Sequence, residues 1–167
     1  VVPGDHVIAC LSIYCGKCNR CLVGETHLCA NKPVRDPDVN PGVLWEGKGV
    51  RQFAGLGSYA EKMLLHENAV VKIDKDMPFQ QAALIGCGVT TGVGAALKTA
   101  KVQAGSTVVV FGAGGVGLSA IQGARIAGAR TIIAVDRIEH KLATARELGA
   151  THSVDASTED AVQKVLE

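Results

Sequence analysis

Four cysteines stand within fifteen residues: Cys15, Cys18, Cys21 and Cys29 in "CGKCNRCLVGETHLC". The spacing is C-x2-C-x2-C-x7-C, and four thiolates on one short loop can close a tetrahedron around Zn²⁺. Four protein ligands leave no open position for water or substrate, so such a site supplies folding energy rather than chemistry. Lys17 and Arg20, between the ligands, are placed to offset part of the net negative charge of four thiolates on a divalent ion. Other uses of the four thiols stay open. An iron–sulfur cluster also takes Cys-x2-Cys-x2-Cys, but the usual bacterial run places Pro after its fourth Cys, where this chain has Ala30. A disulfide pair, inert thiols, or a redox pair of Cys15 and Cys18 are the remaining options. No basic recognition helix adjoins the lobe, which argues against a zinc finger that reads nucleic acid.

A second chemical signal lies at 112–117, G-A-G-G-V-G. Alone, G-x-G-x-x-G is weak. Here it follows the β-branched run "STVVVF", precedes "LSAIQGARIAGA" with Val116, Ala120, Ala124 and Ala127 at helical spacing, and is followed by "TIIAV" ending at Asp136, nineteen residues after Gly117. That is the dinucleotide-binding fingerprint. Gly112 permits the tight turn, Gly114 lets backbone approach a pyrophosphate, and Gly117 lets helix pack against strand. The helix start, with Gly115, offers unpaired N–H groups to phosphate. Asp136 is suited to accept from the adenosine ribose hydroxyls and to repel a 2′-phosphate, which favours NAD over NADP. Arg137 could soften that preference. Lys141 is either a ribose or phosphate contact or a solvated helix residue. The competing possibility for the whole motif is a tight turn that binds nothing.

These groups need elements to position them. "GDHVIACLS" predicts a strand, 15–29 an irregular lobe and 31–57, rich in Pro, Gly, Asp and Asn, a loop. "GSYAEKMLLHENAVVKI" shows strand-like stretches broken near His66 to Asn68. "MPFQQAALIG" predicts a short helix that Pro78 starts. "EHKLATARELG" predicts an amphipathic helix with Leu142, Ala145 and Leu148 on one face and Gly149 at its end. "HSVDA" is a third strand. The βαβαβ order from Ser106 implies a parallel sheet with right-handed crossovers. A boundary near residue 88 separates a β-rich part, 1–88, from an α/β part, 89–167.

The 167 residues carry net charge +1, so no broad attraction to nucleic acid or membrane is implied. No apolar run approaches the ~20 residues that span a bilayer, and no signal peptide is visible. Six cysteines beside a nucleotide motif point to metal binding in a reducing compartment, the cytoplasm. The opening "VVPGDHVIAC" and closing "EDAVQKVLE" read as an internal piece of a longer protein.

The Cys lobe with its spacing, "GDHVI", "LIGCGVTTGVGAALKTAKVQAGSTVVVFGAGGVGLSAIQGARIAGA" and "IIAVDRIEHKLATARELGAT" together resemble the zinc-dependent medium-chain alcohol dehydrogenases, along nearly the whole chain. The resemblance implies part of a GroES-like β domain carrying a structural zinc lobe, then the first half of a Rossmann doubly wound parallel sheet. It also implies two cofactors, NAD and zinc. A catalytic zinc, held by a Cys, the His of a Gly-His-Glu motif and a second Cys, polarises the alcohol oxygen so that hydride passes to NAD⁺. Cys87 matches the second catalytic Cys; on spacing alone it would be a small buried thiol. Thr91 and Val116 match positions lining the nicotinamide, and Phe53 and Ala54 match the substrate channel.

The family's Gly-His-Glu belongs upstream of "GDHVI", so the chain as given is expected to be inactive. His66–Glu67 is no substitute: it follows Leu65 and falls after the lobe. His6 reads as a strand residue, His27 as a thiolate partner or solvated, His140 and His152 as surface residues, and Cys10 as a core thiol. The implied partner is an alcohol or aldehyde, or a thiol–aldehyde adduct, acted on by a homo-oligomer (dimer or tetramer). The rival is a non-catalytic zinc- and nucleotide-binding protein.

Overall fold

The computed structural model describes residues 1–36, 38–39 and 41–167, and it divides into two compact units, Val1–Gly86 and Cys87–Glu167. Pro37 and Asn40, within the expected loop at 31–57, lie outside the described residues.

In the first unit, β1 (Val7–Ala9) and β4 (Val70–Lys72) pair antiparallel, Val7 opposite Lys72 and Ala9 opposite Val70. The ladder runs on through Cys10 N–H to Ala69 C=O and Ile73 N–H to His6 C=O. Lys72 Nζ reaches Asp5 Oδ1 at 2.7 Å and closes one end of the pair. The lobe contains one helical turn, α1 (Asn19–Leu22), and a 3₁₀ turn at Thr26–Leu28.

Regular structure in the Pro- and Gly-rich region exceeds what its composition predicts. β2 (Leu44–Trp45) and β3 (Lys48–Gly49) form a hairpin, and Phe53–Gly55 is a 3₁₀ turn. Conversely, "GSYAEKMLL" forms no strand. A strand needs a hydrogen-bonded neighbour, and among the described residues none pairs with 58–65. Cys10 lies just past β1 and is half-buried, not a core thiol.

Pro78 caps α2 (Phe79–Leu84), whose first-turn phenyl lies 4.7 Å from the His6 ring. The helix is longer than expected. A π-helical turn at Ile85–Val89, then α3 (Thr90–Gly94) and a second π turn at Ala95–Thr99, carry it to Thr99. The span Phe79–Thr99 is long and apolar enough, by length and composition only, to cross a membrane. This corrects the expectation that no apolar run approaches that length.

The second unit holds the parallel sheet β5 (Thr107–Phe111), β6 (Thr131–Asp136), β7 (His152–Asp155), in that order. The central strand β6 buries apolar residues on both faces, as a sheet covered on both sides requires. Ile132 and Ala134 pack with Ile121 and Ala124 of α4 (Gly115–Ile126) and with Leu142 and Ala145 of α5 (Glu139–Leu148). Ile133, Val135 and Val154 face the other way, toward Ala161 and Val165 of α6 (Ala161–Leu166). This is the first half of a doubly wound fold. Helix α5 stops at Gly149, whose φ of +123° suits glycine.

Helix α4 buries more than one stripe. Ser119 and Gly123 are buried as well as Ile121 and Ala124, whereas Val116 is exposed. The extra face meets α3. A Cβ on Gly92 would sit 2.3 Å from Val116 C=O and 2.5 Å from Ser119 Cβ. A Cβ on Gly123 would sit 3.0 Å from both Val93 Cα and Ala96 Cβ, a looser approach. Because backbone meets backbone there, no rotamer change can make room. Gly92→Ala is therefore expected to destabilise the second unit by about 1–3 kcal/mol, read as a lower urea midpoint at constant m. An unchanged midpoint would mean that the crossing is not close-packed.

Candidate functional site

The four lobe sulfurs lie within 4.8 Å of one another. Cys18 Sγ is 3.5 Å from Cys21 Sγ and 3.9 Å from Cys29 Sγ, and Cys15 Sγ is 4.0 Å from Cys21 Sγ. Bonds of ~2.3 Å to a tetrahedral zinc give sulfur–sulfur edges of about 3.8 Å. The space thus matches one such ion. All six cysteines are free thiols, so the disulfide alternative does not hold. Backbone N–H groups point at the sulfurs: Cys15 N–H donates to Cys29 Sγ at 3.3 Å. The Cys21 N–H draws the Cys18 thiol down to about 6, and the Lys17 N–H lowers Cys15. Burial, then the Cys18 thiol, pushes Cys21 up to about 11. A divalent ion would remove the thiol protons together.

Arg20 does not serve the thiolates as expected: its guanidinium pairs with Glu25. His27 is exposed. The lobe is tied down by a residue that the sequence did not flag. Asn68 Nδ2 donates to Tyr14 C=O at 2.8 Å, one residue before the first ligand. Asn68 is itself fixed by its N–H to His66 Nδ1, 3.1 Å. His66–Glu67 therefore belongs to a 3₁₀ turn that braces the lobe.

In the second unit the glycine loop leaves β5. Gly112 has φ +92°, and its N–H donates to Val135 C=O at 2.7 Å. A Cβ on Gly117 would sit 1.8 Å from Gly112 C=O. A Cβ on Gly114 or Gly115 would meet nothing within 4 Å, so open space lies over both. Helix α4 starts at Gly115 with Gly114 as its N-cap and no side-chain cap, which leaves first-turn N–H groups to an anion.

Asp136 closes the loop. Its Oδ2 accepts from Ala113 N–H at 2.7 Å, and its Oδ1 accepts from Arg137 and Ile138 N–H at 2.8 and 3.1 Å. Those bonds, led by Ala113, with the Lys141 charge, hold its carboxyl below the usual range. Three of about four acceptor sites are used, which leaves about one for a ribose hydroxyl. Lys141 Nζ faces this carboxylate at 3.9 Å. Beside it runs a groove of about 570 Å³ at the C-terminal ends of the strands, lined by Phe111, Gly112, Asp136, Arg137, Ile138 and Ser157 among others. Open α/β sheets bind ligands at that edge.

Cys87 lies exposed in the first π turn, so it is not the buried thiol that spacing alone suggests. Thr91 follows four residues later and is also exposed. Its neighbour Gly92 abuts the Val116 carbonyl, so Thr91 and Val116 share the α3–α4 crossing. Among the described residues, the lobe is the one group of three or more His, Cys, Asp or Glu gathered closely enough for a metal, and Cys87 stands outside it. Phe53 and Ala54 line a 410 Å³ pocket in the first unit with Arg35, Leu64 and His66. His140 and His152 are exposed, as expected.

Residues 1–75 match the alcohol dehydrogenase GroES-like domain, and residues 115–167 match the zinc-binding dehydrogenase family. The chain is 43% identical to S-(hydroxymethyl)glutathione dehydrogenase of Saccharomyces cerevisiae, covering 100% of this chain and 46% of that protein. Among solved structures it is similar to benzyl alcohol dehydrogenase from Acinetobacter calcoaceticus, at TM-score 0.85 and 38% identity, over 99% of this chain and 46% of that one. A zinc-binding-domain alcohol dehydrogenase protein from Burkholderia ambifaria gives TM-score 0.85 and 37% identity over the same shares. The chain thus spans about half the length of these relatives. With both halves of the chain matched and the lobe and glycine loop built as described, the chain belongs to the zinc-dependent medium-chain alcohol dehydrogenase family.

Proposed function

We propose that this chain is the zinc-lobe and NAD-binding portion of a cytoplasmic oxidoreductase that moves hydride between an alcohol, or a thiol–aldehyde adduct, and NAD. The observation that carries the nucleotide assignment is the Asp136 carboxylate, which spans from the end of β6 to Ala113 N–H of the glycine loop. Gly114, Gly115 and the α4 N-terminus receive the pyrophosphate, Asp136 orients the ribose, and Thr91 and Val116 flank the nicotinamide. When bound, NAD supplies the hydride acceptor. Lobe zinc, held by Cys15, Cys18, Cys21 and Cys29, supplies structure only. Cys87 alone makes no metal site, so no step through a catalytic zinc is assigned to these residues.

Asp136→Asn removes the charge but keeps an oxygen for Ala113 N–H. In the full-length protein it is expected to shift the NAD/NADP affinity ratio at least about tenfold toward NADP, since two charges near 4 Å in water differ by ~1 kcal/mol per unit of phosphate charge. A constant ratio would refute the role given to Asp136. Alcohol-dependent reduction of NAD separates the enzyme from a non-catalytic binder: saturable NAD binding without it would favour the binder.

A further inference from the structure

Next to Ala156 and Ser157, which line the groove, stands a second carboxylate that the dinucleotide fingerprint does not include. Asp155 ends β7 and pairs in register with Asp136 at the end of β6. Paired positions on adjacent parallel strands point to the same face, with the strands ~4.8 Å apart. Ile133, Val135 and Val154 occupy the opposite face, so Asp136 and Asp155 project together on the α4–α5 side. Asp155 is fixed in place: its Oδ1 accepts from Ser157 N–H at 2.9 Å and from Ser157 Oγ at 2.5 Å.

Arg137 follows Asp136 in the chain and lines the groove. Among the described residues its guanidinium makes no ion pair within 4.0 Å, although its backbone N–H is held by Asp136. Arginine in this place is the group that accommodates a 2′-phosphate in NADP-binding relatives of the fold. The Ser157 hydroxyl and N–H hold Asp155 below the usual carboxylate range, the Arg137 charge lowers it further, and Asp136 opposes them. Asp136 and Asp155 balance Arg137 and Lys141, so an incoming dianion meets no net positive charge. Without Asp155 the same rim would be net positive.

We propose that Asp155 is a specificity-determining residue: its charge, in register beside Asp136, offsets that of Arg137 on the groove and so keeps the groove for a dinucleotide with a free 2′-hydroxyl. This rests on the assignment of the groove to a dinucleotide. A merely structural Asp155 would brace the Ser157 turn and leave ligand choice unaffected.

The test uses ADP-ribose and 2′-phospho-ADP-ribose, titrated against the full-length protein by calorimetry. Asp155→Asn keeps the oxygen that Ser157 bonds while removing the charge. It is expected to raise relative affinity for the 2′-phosphate about threefold to tenfold at low salt. That gain should shrink in 1 M salt, where the Debye length falls to ~3 Å, and should vanish in Asp155→Asn/Arg137→Gln. If Asp155→Asn melts early, Asp155→Ser, whose hydroxyl can still accept from Ser157, takes its place. An unchanged ratio in a normally folded variant overturns the proposal, as does a gain that survives loss of Arg137. If Asp136→Asn shifts the ratio and Asp155→Asn does not, only this inference fails. If neither ligand binds the wild-type protein, the groove's assignment falls with it.

Discussion

Replacing Cys21 by serine is expected to empty the lobe of zinc and unravel the chain between Cys15 and Cys29. The reason is the scarcity of other order there. The lobe has a single helical turn, one 3₁₀ turn and one buried side chain, Cys29. Structural zinc in small modules contributes about 10–16 kcal/mol of apparent binding energy at neutral pH, far more than those turns supply. Serine is a poor zinc ligand at that pH, and three thiolates left around the ion leave the tetrahedron open. Zinc content by mass spectrometry should fall from one ion per lobe to near zero, with new proteolytic cuts between residues 15 and 29. Melting of the parallel sheet should persist, because its core of Ile121, Ile132 and Leu142 contains no lobe residue. Full zinc occupancy in Cys21→Ser would show that the lobe is not a four-thiolate site.

Gly117→Ala is expected to abolish dinucleotide binding, with a loss of at least about a hundredfold. A methyl 1.8 Å from the Gly112 carbonyl cannot be accommodated by a side-chain adjustment. The loop must shift, and the Ala113 N–H then leaves Asp136. The loss converts to about 2.8 kcal/mol at tenfold per 1.4 kcal/mol, comparable with the cost of overpacking a tight contact. Gly114→Ala provides the contrast. Its methyl meets no protein atom within 4 Å, so the variant should melt like wild type yet bind more weakly, because the methyl enters the ligand's space. Wild-type affinity for NAD in Gly117→Ala would refute the loop's role.

The second unit was legible because its signals are local and mutually consistent. β-branched runs gave β5 and β6, and Leu142 and Ala145 fall on the buried face of α5 as their spacing predicts. Gly112 takes the positive φ that the fingerprint requires. The lobe was legible for the same reason, since its ligands share one short loop. Contacts between distant segments were not. Asn68 lies 54 residues from Tyr14, and nothing local marks the pair. The α3–α4 crossing has only a weak local mark, the small residues Gly92 and Ala96 four positions apart. Strand periodicity misled at 58–65, where a strand requires a neighbour that no composition reveals. The bond from Ala113 N–H to the Asp136 carboxylate, 23 residues later, is likewise invisible in sequence.

Calorimetric titration of NAD into the full-length, zinc-loaded protein tests the central assignment most directly. One saturable site per chain is expected, competed by ADP-ribose and lost in Gly117→Ala. A folded, zinc-loaded protein that binds neither NAD nor ADP-ribose would contradict it.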